Sequence, residues 1–214
     1  FTHSEVAELH QDKFNIDRRK IVIGYPIAVL NEKRIKNSLT FNYEDTPLKI
    51  GYFGAFTKSV REPNNYIISI ANSLDDQIKH EWYINEESKK YFTSIKNISS
   101  HQFLDTLPRE VALEVMVSKM HVLLSIGNFN KYQMPSKVIE YISLGKPVLH
   151  FAEIADDPLY NFNELFDNLK IINSKTTKNE LENYFENIRE NRLELNIGNF
   201  NNNFSATELI NNLL

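Results

Sequence analysis

The sequence predicts an α/β fold in which a parallel sheet of about six strands is flanked by helices on both faces. Between Leu48 and Arg192, short apolar runs of strand length alternate with amphipathic stretches of helix length, the pattern of successive βα units. Runs such as HVLLSI and PVLHF are apolar throughout rather than alternating, as strands covered on both faces must be. Two of the strands stop at glycine, at Gly54 and at Gly127-Asn128, where an open sheet of this kind gathers its ligands.

In chain order, FTHSEVAELHQDKF reads as a helix with Ser4 as N-cap, and KIVIGYPI as a short strand broken by Gly24 and Pro26. Residues 31–47 are polar without a period and read as a linker, so residues 1–47 form the end of a preceding unit and residues 48–192 the α/β unit. LKIGYFGAF is a buried strand ending at Gly54, and the loop GAFTKSVREPNN leads into a helix around Pro63–Leu74. This opening is Rossmann-like, yet it lacks G-x-G-x-x-G, which argues against NAD and FAD. KHEWYINE follows as a strand, Glu86–Ile95 as a helix and SSHQFLD as a strand. LPREVALEVMVSKM then reads as a helix with Pro108 near its first turn, and HVLLSIGN as a strand. Pro135 suits the first turn of a helix and Gly145 the left-handed residue that ends one, giving a helix over Pro135–Leu144 ahead of the strand VLHF. A helix around Asp157–Phe166, the strand LKIIN and a helix over Lys178–Arg192 complete the unit. The tail, residues 193–214, is expected to be a C-terminal tail helix; it is Asn-rich at first and regains a helical pattern from Ser205.

Composition narrows the function. The 214 residues are 42% hydrophobic, enough for a packed core, and contain no Cys, which excludes disulfides, zinc-thiolate sites and Cys nucleophiles. No apolar run reaches the roughly 18 residues of a membrane span, and no signal-peptide pattern is present, so the sequence reads as a cytoplasmic protein. A formal charge of -4 with mixed signs speaks against nucleic acid as a partner, while leaving room for a small anion. The chain opens on Phe1 rather than Met, which reads as a fragment or processed product.

Beyond the carboxyl ends of the strands, Gly54, Phe103, Asn128 and the helix at Pro135 are expected to converge on one cleft. Gly54 lets a ligand approach the backbone, and Arg61 is either a bidentate phosphate donor or a surface arginine. The helix start carries free N–H groups and partial positive charge suited to a diphosphate. Ser136 and Glu140 share one helix face, with Lys137 beside them; individually they also read as a cap, a solvated acid and a surface lysine. Asp156 and Asp157 before a helix read as caps and dipole partners rather than metal ligands. The six histidines, His3, His10, His80, His101, His121 and His150, lack metal-ligand spacing and read as satisfied or surface residues, so no metal is expected.

The string P-S-K-V-x-E-Y-x-x-x-G-K-P-V, Pro135 to Val148, resembles the donor-site motif of GT-B fold glycosyltransferases of the bacterial group 1 type. The resemblance covers Leu48 to Pro158 well and the flanks weakly; the first 31 residues are similar to the junction between the two GT-B domains. It implies a nucleotide-sugar-binding domain, the C-terminal half of the GT-B fold, with Glu140 accepting hydrogen bonds from ribose hydroxyls and Ser136 beside the diphosphate. It further implies sugar transfer to an acceptor hydroxyl without a bound metal or other cofactor, UDP or GDP as the nucleotide, polysaccharide biosynthesis as the setting, and an acceptor domain upstream as partner. Two departures stand out. The G-R-x-x-x-x-K-G form is not met near Arg61, and Tyr132 occupies the position of the first glutamate of E-x7-E, so the sugar-side contact must differ and neither retention nor inversion is assigned; the catalytic base, which the resemblance places in the first domain, is not assigned either. A nucleotide-sugar epimerase of the same fold is the alternative; a receiver-like signalling module fits less well, because the first strand ends in Gly54-Ala55-Phe56 rather than an acidic pair.

Overall fold

Six short strands, the central ones apolar on both faces, pair in parallel into one sheet with the order β3-β2-β1-β4-β5-β6. They are β1 Leu48–Phe53, β2 Ile78–Tyr83, β3 His101–Leu104, β4 Val122–Ile126, β5 Val148–Phe151 and β6 Leu169–Ile172. The structure is a computed structural model and describes residues 4–17, 35, 47–74, 78–93, 99–190, 192–193 and 197–204. The register of β1 runs from Leu48 opposite Ile78 to Phe53 opposite Tyr83 on one side, and from Ile50 opposite Val122 on the other. Strand order reverses between β1 and β4, which places a switch-point crevice at their carboxyl ends.

The helices are α1 Ser4–Phe14, α2 Asn64–Ser69, α3 Glu86–Lys89, α4 Arg109–Ser118, α5 Ser136–Ser143, α6 Lys178–Arg189 and α7 Ile197–Phe204. On one face of the sheet, Ile50, Trp82 and Leu124 pack against Tyr66 and Ile67 of α2 and Leu181, Phe185 and Ile188 of α6. On the other, Phe53, Leu123 and Val148 pack against Leu113 and Met116 of α4 and Val138, Ile139 and Ile142 of α5. α6 starts at a capping box in which Thr177 Oγ1 accepts from Glu180 N–H and Glu180 returns a carboxylate to Thr177 N–H. α5 ends as its sequence predicts, with Gly145 in the left-handed region at φ +69°.

Several segments differ from the sequence reading. The helix expected over Pro63–Leu74 is two pieces, α2 and a 3₁₀ turn at Ala71–Leu74, because the chain leaves helical geometry at Ile70, φ -121°. The helix expected from Glu86 is α3 followed by a 3₁₀ turn at Lys90–Phe92. Around Asp157–Phe166 the chain makes a 3₁₀ turn, Pro158–Phe162, closed by i→i+3 bonds from Tyr160 N–H to Asp157 and from Asn163 N–H to Tyr160. In the tail, α7 already occupies Ile197–Phe204: Phe200 and Phe204, four residues apart, share one face and bury against Phe162 and Phe166. That aromatic pair overrides the low helix propensity of the intervening asparagines. The expected strand KIVIGYPI, nearly all of the linker and the helical pattern from Ser205 lie outside the described residues. Among those described, no helix is long and apolar enough to cross a membrane.

Candidate functional site

The loops after β1 and β4 are tied together at the switch point. Arg61 Nε and Nη2 both donate to Asn128 Oδ1, at 3.1 and 3.0 Å, and Asn128 Nδ2 donates to the Gln133 carbonyl at 2.7 Å. Phe129 N–H donates to the Val60 carbonyl at 2.8 Å, and Arg61 exchanges backbone hydrogen bonds with Thr57. The guanidinium is therefore fixed by neutral partners and keeps its charge uncompensated by a carboxylate in these contacts.

Facing it is the start of α5. Pro135 takes the cap position at φ -66°, ψ 95°, so the helix begins one residue later than its first-turn reading, and no side chain caps that end. Ser136 is exposed there. Lys137 turns its ammonium inward to donate to the Phe53 carbonyl at 2.5 Å, and Tyr141 Oη donates to the same oxygen at 3.3 Å. Burial, and then the neighbouring Arg61 charge, hold the Lys137 pKa below the usual lysine range, with Glu140 opposing the shift. Two cations held this close repel each other, and an anion between them relieves that repulsion. Gly54 lies alongside: a Cβ built there would stand 3.3 Å from Lys137 Nζ and 3.2 Å from Tyr52 Oη, so the position has little room for a side chain.

Two cavities meet at Phe53 and Lys137. The smaller, about 120 Å³, is lined by Tyr52, Phe53, Arg61, Leu124, Ser125, Pro135, Ser136, Lys137 and Tyr141. The larger, about 280 Å³, has an apolar wall of Tyr83, Leu107, Ala112, Leu113 and Met116. Gly54, Thr106, Arg109, Lys137 and Glu140 complete it. Arg109 Nη2 donates to Glu140 Oε1 at 2.7 Å across the mouth of this second cavity. The paired spaces form a cationic slot at a helix N-terminus beside a largely apolar one, with a carboxylate on the second wall.

Gly54, Arg61, Pro135, Ser136, Lys137 and Glu140 thus line one cleft, and Asn128 stands behind Arg61 as its anchor. Phe103 is not brought to it; its ring packs edge-on against Phe92, 4.7 Å between centroids, and lines neither cavity. Its side chain points to the α2 and α6 face, because alternation along β3 turns it away from the cleft side. The sequence reading missed Tyr52, Ser125, Tyr141 and Arg109. Ser125 had a signal: a polar residue inside the apolar run VLLSI has to be satisfied by something buried.

Asp157 is a cap, accepting from Leu159 N–H at 2.9 Å, and Asp156 pairs with Lys131 at 3.5 Å. Four of the histidines make hydrogen bonds inside the fold. His80 meets Tyr66 Oη at 2.8 Å, His101 accepts from Trp82 Nε1 at 2.9 Å, and His121 accepts from Lys49 N–H at 2.8 Å. His150 lies between Ser125 and Asp157.

The chain has the GT-B glycosyltransferase fold, represented here by a Rossmann-like half. It superposes on a glycosyltransferase from Rickettsia africae ESF-5 with TM-score 0.64 at 14% identity, covering 98% of this chain and 60% of that one. It also superposes on the apo lipopolysaccharide outer core galactosyltransferase WaaB, TM-score 0.59 at 10% identity, covering 96% and 57%. The third comparison is AviGT4, a glycosyltransferase involved in avilamycin A biosynthesis, TM-score 0.57 at 12% identity, covering 98% and 60%. The chain therefore spans about three fifths of the length of these structures. No protein-family model matches the sequence, and no curated protein matches it by sequence.

Proposed function

We propose that the cleft binds a nucleoside diphosphate sugar and that the protein transfers the sugar to an acceptor hydroxyl. The observation that carries this reading is the junction of the two cavities. A slot holding Lys137, Arg61 and the start of α5 adjoins an apolar pocket with Glu140 on its wall. A diphosphate fits the first, because anionic oxygens gain from two cations and a helix N-terminus together. A nucleoside fits the second, its base against Leu107, Leu113 and Met116 and its ribose hydroxyls donating to Glu140. In the transfer itself, negative charge grows on the departing diphosphate, and fixed positive groups at that point lower the barrier more than they stabilise the ground state. This assigns donor binding and leaving-group stabilisation to the described residues, with deprotonation of the acceptor falling to groups outside the cleft. It needs no metal, since Lys137, Arg61 and the helix supply the charge.

Calorimetry with UDP and GDP, each beside its free nucleoside, tests the reading. Lys137→Ala and Arg61→Ala should each weaken the diphosphate about tenfold or more while leaving the nucleoside nearly unchanged, since a charged hydrogen bond is worth roughly 1.5 to 3 kcal/mol. No binding of either nucleotide at millimolar concentration, or equal losses for nucleotide and nucleoside, would overturn it.

A further inference from the structure

The floor of the smaller cavity is connected to a buried chain of three side chains. Ser125 on β4 lines the cavity, and its Oγ lies 3.1 Å from His150 Nδ1 on β5. His150 Nε2 lies 3.1 Å from Asp157 Oδ2, and Asp157 Oδ1 accepts Leu159 N–H at 2.9 Å. All three residues are buried, His150 completely. Gly127 packs against the far end so closely that a Cβ there would stand 2.7 Å from Asp157 Oδ2.

The direction of these hydrogen bonds follows from their ends. The Asp157 carboxylate only accepts, so His150 carries its proton on Nε2 and donates it to Oδ2. In the neutral imidazole Nδ1 is then a lone pair, and the proton of that contact is the hydroxyl proton of Ser125. With its proton committed to His150, Ser125 Oγ offers the cavity lone pairs alone. The charged groups in this slot and the helix start bring donors, namely the Arg61 guanidinium, the Lys137 ammonium and the free N–H groups at the start of α5, while the Tyr52 and Tyr141 hydroxyls give their protons to the Ala55 and Phe53 carbonyls. A diphosphate uses the donors but gains nothing from an acceptor. The same order of atoms serves nucleophilic hydrolases, but Ser125 lies within a central strand and is only 5% exposed, which suits an acceptor rather than an attacking group.

We propose that Asp157 and His150 fix Ser125 as a hydrogen-bond acceptor for a hydroxyl of the sugar carried by the donor, so that Ser125 distinguishes a nucleoside diphosphate sugar from the bare nucleoside diphosphate. Ser125 is the contacting residue, and His150 and Asp157 are positioning residues. The inference rests on the donor-binding reading above and extends it to the sugar.

The experiment compares UDP with UDP-glucose and GDP with GDP-mannose by calorimetry, on wild type, Ser125→Ala and Asp157→Asn. Ser125→Ala should weaken the nucleotide sugar that wild type prefers by about fivefold to tenfold and leave the matching diphosphate within about twofold, as loss of one neutral hydrogen bond predicts. In Asp157→Asn the amide oxygen can still accept Leu159 N–H while its NH₂ donates to Nε2. The imidazole must then carry its proton on Nδ1, which turns the Ser125 hydroxyl proton toward the cavity. That variant should lose sugar discrimination as Ser125→Ala does, yet bind the bare diphosphate at least as well as wild type. Nitrogen-15 NMR of the imidazole gives a readout independent of any ligand: the His150 proton on Nε2 in wild type and on Nδ1 in Asp157→Asn. Equal losses of diphosphate and nucleotide sugar in Ser125→Ala, unchanged binding of both, or an Nδ1–H tautomer in wild type would each overturn the proposal. If wild type binds none of the four nucleotides, the donor-binding reading has failed as well, and the NMR tautomer still decides the polarity of the chain.

Discussion

On the face covered by α2 and α6, the rings of Tyr52, Phe56, Trp82 and Phe92 pack on one another, with Tyr52 and Phe56 stacked at 4.6 Å and Trp82 tilted against Phe92 at 4.9 Å. On the face covered by α4 and α5, the same strands run from a mixed aliphatic and aromatic core into two cavities at their carboxyl ends. Polar side chains differ in kind between the two. His80, on the first face, stacks among rings and meets one phenol; Lys137, on the second, is drawn inward beside another cation. The first face spends its side chains on cohesion. The second leaves charge, backbone oxygen and empty volume adjacent, which is what a ligand site requires and a core avoids.

The sharpest way to break this comparison is to damage the cohesive face and read both stability and binding. Trp82 is fully buried, in ring contact with Tyr52, Phe56, Tyr66, Phe92 and His101. Trp82→Ala should destabilise folding by about 3 to 5 kcal/mol, as large-to-small aromatic changes in cores do. Denaturant titration checks that value. Affinity for UDP or GDP under folding conditions should stay within about twofold, because Trp82 lines neither cavity. A selective loss of binding would show that the two faces are coupled.

A smaller effect on the same face comes from pH. Burial first, and the neighbouring His101 second, hold the His80 pKa well below the usual histidine value, so the folded protein keeps this imidazole neutral while the unfolded chain protonates it near pH 6.5. Below that pH the unfolded state binds more protons, and stability falls as pH falls; above it the stabilisation is fully present. The slope due to this one group is at most about 1.4 kcal/mol per pH unit. His80→Phe removes the proton site while keeping a ring against Trp82, so its stability measured at pH 7, 6 and 5 should decline less steeply than that of wild type. Identical slopes would assign the acid sensitivity to other groups.

Much of the sheet could be read in advance because its strands are short, apolar and punctuated, as in VLHF after Gly145-Lys146-Pro147. Helix α5 was readable at both ends, since Pro135 and Gly145 each act through their own backbone geometry. What the sequence did not reveal depends on tertiary partners. Nothing local shows that Asn128 anchors Arg61, 67 positions away in sequence, or that Arg109 reaches Glu140. Phe103 was misplaced because a strand residue's face is fixed by register with its neighbours: opposite Trp82, it follows that ring into the aromatic core. In the tail, the helical pattern is plain in the sequence only from Ser205, whereas α7 forms at Ile197–Phe204, where the i, i+4 spacing of Phe200 and Phe204 outweighs the asparagine composition.

The finest test concerns Glu140, where structural and ligand-binding roles overlap in one side chain. Its carboxylate is partly exposed and paired with the well-exposed Arg109 guanidinium, and exposed ion pairs contribute only about 0 to 1 kcal/mol. If that pair is all Glu140 does, Glu140→Gln and Arg109→Ala should behave alike, each shifting stability slightly and neither changing nucleotide affinity. If Glu140 receives the ribose hydroxyls, the two variants separate. Gln keeps the shape but replaces one acceptor with a donor, so UDP or GDP affinity should fall about tenfold at nearly unchanged stability. Arg109→Ala leaves the carboxylate in place and relieves it of a competing donor, so affinity should hold or rise. A 2′,3′-dideoxy nucleotide, which lacks both hydroxyls, should bind wild type poorly and bind Glu140→Gln no worse. Calorimetry on the two variants with ribose and dideoxyribose forms completes the comparison. Matching affinities across all of them would make Glu140 a surface acid and detach the apolar pocket from nucleoside binding, while a collapse of folding in Glu140→Gln would move the residue to the cohesive part of the molecule.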